Sequence, residues 1–150
     1  MPILAGQIVT ASQLNRMQPS TTDAIASSAT PVLATTTIVD VPGATITLTT
    51  TTPNAIYRVV GTFDVLPGAT SPTVLVFGFL NVDGVTDTGV AIQGLTSSIR
   101  STVSQTWRGT LAAAGSHTLK LQASLSGSLA SGATVRPQNS KISVEISEVV

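Results

Sequence analysis

Apolar and polar residues alternate with a period of two along almost the whole chain after residue 23. In the last segment, for example, Ile142, Val144 and Ile146 are separated by Ser143 and Glu145. Successive side chains of a β-strand point to opposite faces, so this pattern predicts strands with one buried face. Turn residues interrupt it at regular intervals. The sequence therefore predicts an all-β fold, an antiparallel jelly-roll-like β-sandwich of about eight to ten short strands.

Turn signals place the strands along the chain. Asp83-Gly84 is a favoured pair for a type I′ turn, so we expect Val74–Val82 and the segment from Val85 to form a hairpin. Weaker strands are expected at Ala24–Ala29 and Val32–Val39. The other predicted strands are Gly43–Thr51, Ile56–Leu66, Ile99–Leu111, Thr118–Ser126, a short segment near Val135, and Lys141–Ser147.

The same alternation assigns side chains to the two faces of each strand. Asp64 and Ser124 fall on outward positions, whereas Ile99 falls on an inward one. His117 follows the turn at Ala114-Gly115, and we expect it to be an exposed loop residue.

The strand Val74–Val82 is apolar on both faces, with Leu75, Phe77 and Phe79 on one of them. A two-sheet sandwich buries only one face of each sheet, so the second face needs a further cover. We expect a neighbouring subunit there, with Leu75, Phe77 and Phe79 as candidates for the subunit interface or for the core beneath it. A loop or the N-terminal segment is the alternative cover.

Charged residues make up only 9% of the chain, against roughly 25% in a typical soluble domain. The net charge is zero, and the seven Lys and Arg residues are scattered singly, so no nucleic-acid partner is expected. Such a surface leaves a monomer with little charge repulsion and few protected strand edges. We therefore expect an ordered assembly to cover much of it, although a neutral, Thr-rich surface is the simpler alternative.

Groups able to perform chemistry are scarce. The chain has one histidine, no cysteine, and no G-x-S-x-G, H-E-x-x-H, P-loop or G-x-G-x-x-G motif. Asp83 and Asp87 flank a hairpin turn, but two carboxylates are too few for a good Ca²⁺ site. We predict no catalytic residues, no metal and no cofactor. No apolar stretch approaches the roughly 18 residues of a membrane span, and no signal peptide is evident, so assembly in a cytoplasm is expected.

The first nineteen residues have a different pattern. Thr10 and Gln13 have the spacing of a helix capping box, Val9 and Leu14 that of a hydrophobic staple, and Pro19 ends the helix. A helix of about eight residues is too short to persist alone, so its apolar residues need a partner. We expect residues 1–19 to be a docking arm, 20–30 a linker and first strand region, and 31–150 the jelly-roll domain. The predicted anchoring residues are Ile3, Leu4, Ile8, Val9, Leu14, Asn15, Arg16 and Met17.

Several segments also resemble a known class of proteins. Ala5–Asn15 is similar to the N-terminal segment of small virion proteins of tailed bacteriophages, where G-x-x-[LIV]-T-A-x-x-L-N precedes a β-domain. Phe77–Val85, Ala114–Ala123 and Lys141–Glu145 resemble strands of the C1q/TNF-like jelly rolls of those proteins. The resemblance implies a homotrimer displayed on the virion surface, with the N-terminal segment bound to the major capsid protein or to a tail protein.

The expected function is a non-enzymatic structural protein on a tailed-phage particle, specifically a homotrimeric capsid decoration or head-fibre protein. The alternative is a tail fibre or minor tail protein that binds a host-surface receptor, such as a glycan. The short chain and the lack of aromatic residues in loops favour the first role, because receptor-binding surfaces usually present rigid aromatic or charged anchors. A lectin-like or adhesive host β-domain is the third candidate.

Overall fold

The computed structural model describes residue 8 and residues 10–27, 31–33, 36–68, 74–96, 99–127 and 132–148. Within these ranges, no helix is long and apolar enough to cross a membrane. The described elements are α1 (Ala11–Met17), β1 (Ser20–Ile25), β2 (Val32–Leu33), β3 (Val39–Thr50), β4 (Ala55–Pro67), β5 (Val74–Val82), β6 (Val85–Leu95), β7 (Ser101–Leu111), β8 (Gly115–Leu125), β9 (Ala133–Val135) and β10 (Lys141–Ser147).

The strands form two antiparallel sheets. In the front sheet, β10 and then β9 pair with one edge of β4, β7 pairs with the other edge, and β1 and β2 extend it beyond β10 and β9. The back sheet has the order β3-β8-β5-β6. Consecutive strands pass repeatedly from one sheet to the other, as in a jelly roll. The predicted antiparallel jelly-roll sandwich is confirmed.

The core lies between the two sheets, where the inward positions of each strand meet. In β4, Val59, Phe63 and Val65 are fully buried, and Phe63 packs edge-on against Trp107 of β7, with ring centroids 6.5 Å apart. Each large apolar side chain removed from water in this way contributes about 1.5–3 kcal/mol. The remaining large, fully buried residues are Leu33, Val41, Val76, Leu80, Leu95, Leu119, Leu121, Leu125 and Ile142.

A hydrogen bond joins the two sheets where their edge strands β6 and β7 meet. Trp107 Nε1 donates to the carbonyl oxygen of Gly89 in β6, at 2.7 Å. A Cβ atom on residue 89 would lie only 3.1 Å from the indole ring, so glycine allows this close approach. The bond ties β7 of the front sheet to β6 of the back sheet.

The hairpin predicted at Asp83-Gly84 is present. Asp83 has φ 51° and Gly84 has φ 88°, as a type I′ turn requires at its two central residues. Val82 pairs with Val85 across the turn, and the N–H of Gly84 donates to Asn81 Oδ1 at 3.0 Å. Local turn chemistry therefore determines the β5–β6 connection.

The first strands differ from the prediction. A strand was expected at Ala24–Ala29, but β1 is Ser20–Ile25 and thus includes part of the polar stretch before it. Its side chains are mostly exposed because β1 is an edge strand that pairs only with β10 among the described strands, so its composition is polar. The strand expected at Val32–Val39 is only Val32–Leu33, and a separate strand, β3, begins at Val39.

Three of the side chains that alternation assigned to one face of a strand are buried or exposed contrary to that assignment. Asp64 is fully buried, and Ser124 is buried as well, although both were expected to face solvent. Ile99 was expected in the core but is largely exposed, because β7 begins only at Ser101. Alternation gives the face of a strand, but it does not show whether neighbouring chain covers that face.

Candidate docking surfaces

The helix α1 begins and ends as its sequence predicts. Gln13 N–H donates to Thr10 Oγ1 at 3.2 Å, and Thr10 N–H donates to Gln13 Oε1 at 2.9 Å. These reciprocal bonds form the predicted capping box. At the other end, Gln18 has an extended backbone, and its N–H donates to the carbonyl of Asn15 before Pro19.

The apolar residues described in the N-terminal segment remain in contact with solvent. Ile8 is 86% exposed and Leu14 is 55% exposed, and Asn15 is exposed beside them. Ile3, Leu4 and Val9 lie outside the described residues, as do the side chains of Arg16 and Met17. The anchoring role of all eight residues stays a prediction.

A shallow groove of about 180 Å³ separates the end of α1 from the sandwich. Asn15 and Gln18 line it on the helix side, and Leu48, Ile146 and Glu148 line it on the strand side. Thr51 N–H donates to Glu148 Oε1 at 2.7 Å, which holds this wall in place. The arm therefore leaves the sandwich at the end where β3 and β10 finish.

A second surface lies on the outside of the back sheet. Leu75, Phe77 and Phe79 point away from the core there and are only partly buried, whereas Val74, Val76 and Leu80 are buried beneath them. The rings of Phe77 and Phe79 have centroids 6.4 Å apart. On the neighbouring strand β6, Ile92 pairs with Phe77 and Val90 pairs with Phe79. The outer β5–β6 face is defined here as Leu75, Phe77, Phe79, Val90 and Ile92.

The outer β5–β6 face contains the three residues of β5 that the sequence suggests as candidates for the subunit interface. Ile92, on the edge strand β6, is 55% exposed, and none of the five residues of the face is charged. The structure brings the three predicted residues together on one side of β5. Their role as a subunit interface remains a prediction.

His117 is not the exposed loop residue that was expected. It lies near the start of β8, is only 7% exposed, and places Nδ1 2.6 Å from Asp83 Oδ2 and Nε2 3.0 Å from the carbonyl oxygen of Ala113. The hydrogen bond to Asp83 raises the pKa of His117 above its usual value, and this outweighs the opposing effect of burial. Both ring nitrogens face acceptors, so the doubly protonated ring fits this environment best.

Asp83 is held by two adjacent residues of β8. Its Oδ1 accepts a hydrogen bond from Thr118 N–H at 2.7 Å, while Oδ2 meets His117. Partial burial alone would raise the pKa of Asp83, but the hydrogen bonds from His117 and Thr118 hold it below the usual value. The pair thus fastens the tip of the β5–β6 hairpin to β8, which is a structural role.

A second ionic contact was missed by sequence reasoning. Arg100 Nε lies 2.7 Å from Asp64 Oδ1 and 2.9 Å from Oδ2, and its Nη2 also donates to Oδ2. Ser140 Oγ accepts from the backbone N–H of Asp64, and Arg136 N–H donates to the Asp64 carbonyl. The residues are 36 positions apart in the chain, and no local motif signals the contact.

Nothing in the described part of the chain forms a metal site, since no three His, Cys, Asp or Glu side chains cluster there. The ionisable pairs outlined above join strands and loops to one another. Among the described residues, surfaces open to a partner occur on the N-terminal arm, on the outer β5–β6 face and on the outside of the front sheet.

The fold and these surfaces define a jelly-roll β-sandwich with an N-terminal helical arm. The same fold occurs in a chain of the viral particle of infectious bursal disease virus, with a TM-score of 0.53, 15% identity, and coverage of 85% of this chain and 31% of that chain. The VP2 protein in particles derived from that virus has a TM-score of 0.52 at 15% identity, with coverage of 85% of this chain and 32% of that chain. Murine APRIL has a TM-score of 0.48 at 10% identity, over 85% of this chain and 98% of its own.

The likenesses to the two viral chains establish the fold alone. The chain spans less than a third of the length of the two viral chains. No family model and no curated protein matches the sequence.

Proposed function

We propose that the chain is a non-enzymatic structural protein on the surface of a tailed-phage particle, a homotrimeric capsid decoration or head-fibre protein. The observation that carries the proposal is a capped helix with exposed apolar residues, Ile8 and Leu14 among them, preceding a sandwich of very low charge. The resemblance of Ala5–Asn15 to phage virion segments supports the particle, and the jelly roll shared with a viral-particle chain is compatible with it.

In this proposal the arm attaches the protein to the particle. An exposed helix of seven residues gains little stability from its own hydrogen bonds, so it needs a receiving surface for Leu14 and the neighbouring apolar residues. The major capsid protein is the proposed receiver. The arm then holds the sandwich outside the particle without burying it.

The outer β5–β6 face serves as the subunit interface in the proposed trimer. It is apolar and half-exposed, and it lies on the opposite side of the back sheet from the core. Removing such a face from water on association is favourable by roughly 25 cal/mol per Å² of apolar area, before the costs of association. Three copies around an axis would each contribute one such face.

The attachment is tested by cosedimentation of the full-length protein with particles that lack it. Ile8→Glu and Leu14→Glu should each reduce binding strongly, because a charge would have to enter an apolar contact. Val85→Glu is the matched control, since Val85 is 72% exposed at the β5–β6 turn and outside both proposed surfaces. Binding by both arm variants at the level of the control would overturn the attachment.

The trimer is tested by sedimentation velocity at micromolar concentration. The wild-type protein and Val85→Glu should sediment as trimers, whereas Ile92→Glu and Leu75→Glu should shift towards the 15.2 kDa monomer. Circular dichroism confirms that the variants keep the sandwich. A wild-type protein that stays monomeric, or glutamate variants that stay trimeric, would contradict this interface.

A tail fibre or minor tail protein that binds a host-surface receptor is the second candidate. The observation that favours it is a pair of adjacent arginines, Arg58 and Arg108, on the outside of the front sheet. Copy number separates the two roles. Hundreds of copies per particle support the capsid role, and a handful supports the tail role.

A further inference from the structure

One row of residues across the outside of the front sheet concentrates charge in a chain that has little of it. Arg58 of β4 lies directly opposite Arg108 of β7 on one side and Glu145 of β10 on the other. Glu145 in turn lies opposite Thr21 of β1. Two of the seven basic residues therefore occupy neighbouring positions on one face.

This arrangement leaves one positive charge without a salt-bridge partner among the described residues. Directly opposed like charges in an antiparallel pair destabilise a sheet. Glu145 Oε2 lies 3.4 Å from Arg58 Nη1 and offsets one of the two positive charges. Arg108 is exposed and forms no salt bridge or side-chain hydrogen bond with any described residue. An anion placed between the two guanidinium groups would relieve their repulsion.

The surroundings of the pair indicate what kind of anion fits. A shallow depression of about 200 Å³ is lined by Arg58, Arg108, Glu145, Ile56 and Ser147, together with Tyr57. Two positions before Arg58 on β4, Ile56 lies between Ser147 of β10 and Thr110 of β7, and its side chain is half-exposed. Two positions after Arg58, Val60 lies between Ser143 of β10 and Thr106 of β7.

We propose that this depression binds an acidic saccharide through its carboxylate, with Arg58 and Arg108 as the anchoring residues. Guanidinium groups bind a carboxylate through paired, charge-assisted hydrogen bonds. The neighbouring Ser and Thr hydroxyls can exchange hydrogen bonds with the sugar hydroxyls, and Ile56 offers an aliphatic surface to the sugar ring. Two arginines are too few to follow a nucleic-acid backbone. The site does not depend on whether the protein lies on a head or a tail.

The test is a titration of the full-length protein with 3′-sialyllactose, followed by amide chemical shifts, with lactose as the neutral comparison. Sialyllactose should shift the amides around Arg58 and Arg108, and lactose should not. Arg108→Gln should weaken binding about tenfold or more, which corresponds to the loss of one charge-assisted hydrogen bond. Glu145→Gln should strengthen binding, because it removes a competing carboxylate.

Lys141→Gln is the matched control. Lys141 lies on the same strand as Glu145 and is exposed, but it pairs with Thr62 and does not line the depression. Its loss removes one positive charge and should leave the affinity within about twofold. Equal binding of lactose, unchanged affinity in Arg108→Gln, or displacement of the sugar by an equal concentration of inorganic sulfate would each overturn the proposed saccharide site.

Discussion

Asp83→Asn should remove most of the pH dependence that the contact between Asp83 and His117 gives to folding. The substitution is mild, because Asn-Gly is also a favoured type I′ pair and asparagine tolerates the positive φ of residue 83. Its side-chain oxygen can still accept from Thr118 N–H. What it removes is the negative charge facing the imidazole.

The size of the effect follows from the two contacts of the ring. The groups at 2.6 Å and 3.0 Å, Asp83 Oδ2 and the Ala113 carbonyl, are both acceptors, and a neutral histidine can donate to only one of them. A hydrogen bond to a charged group contributes about 1.5–3 kcal/mol. The Asp83 side chain is 44% exposed, so solvent screening reduces the stabilisation that this hydrogen bond gives to the fold. We therefore expect a contribution of about 1–2 kcal/mol to the free energy of unfolding.

The sign of the pH dependence of stability follows from the directions in which folding changes the pKa values of His117 and Asp83. The pKa of His117 is raised on folding, so its stabilisation is complete below about pH 6.5 and is lost as the pH rises through the folded pKa. The pKa of Asp83 is lowered, so its stabilisation is complete above about pH 3.9 and is lost on further acidification. The pair therefore stabilises the fold most between about pH 4 and pH 6.5.

Urea unfolding at about pH 5.5 and about pH 8.5, at one protein concentration, measures this difference. Asp83→Asn should lose about 1–2 kcal/mol at the lower pH and less than half of that at the higher pH. Asp40→Asn is the control, because it removes an aspartate that contacts Lys120 and no histidine. An equal loss for Asp83→Asn at both pH values, or an imidazole that titrates at or below about pH 6.5 by NMR, would refute the reasoning.

Substitutions at three further contacts test other parts of the structure. Trp107→Phe removes the bond to Gly89 and should lower the free energy of unfolding by about 1–3 kcal/mol in urea; unchanged stability would contradict the link between the sheets. Thr10→Ala should destabilise α1 by about 1 kcal/mol and speed amide exchange there, whereas Thr10→Ser should not; equal exchange in both would count against the cap. Asp64→Asn should lower the midpoint temperature of thermal unfolding. Arg100→Lys should lower it less, because lysine keeps the positive charge but not the forked geometry of the guanidinium group. An unchanged midpoint in Asp64→Asn would show that the ionic contact contributes nothing to stability.

Features determined by neighbouring residues could be predicted from the sequence. The capping box of α1 depends on Thr10 and Gln13, three positions apart, and the β5–β6 hairpin depends on Asp83-Gly84. Alternation in Lys141–Ser147 correctly predicted the buried face of β10. In each case the physical cause lies within a few residues of the feature.

Features that depend on distant parts of the chain were not predicted. His117 contacts Asp83 because β5 and β8 pair, with Val82 opposite Leu119. The turn before His117 in the sequence therefore could not indicate that its side chain is buried. Asp64 lies on the outward face that alternation assigned to it, but the chain around Arg100 covers it. The paired arginines of the front sheet were likewise missed, because only the register of β4 and β7 brings them together.

The central claim is that the chain lies on the outside of a tailed-phage particle. Cryo-electron microscopy of purified particles of the phage that this proposal implies tests the claim most directly. The proposal predicts threefold β-sandwich density outside the capsid, in hundreds of copies, with the N-terminal helix packed on the major capsid protein. The absence of this chain from the particles, by density and by mass spectrometry of the same sample, would contradict it.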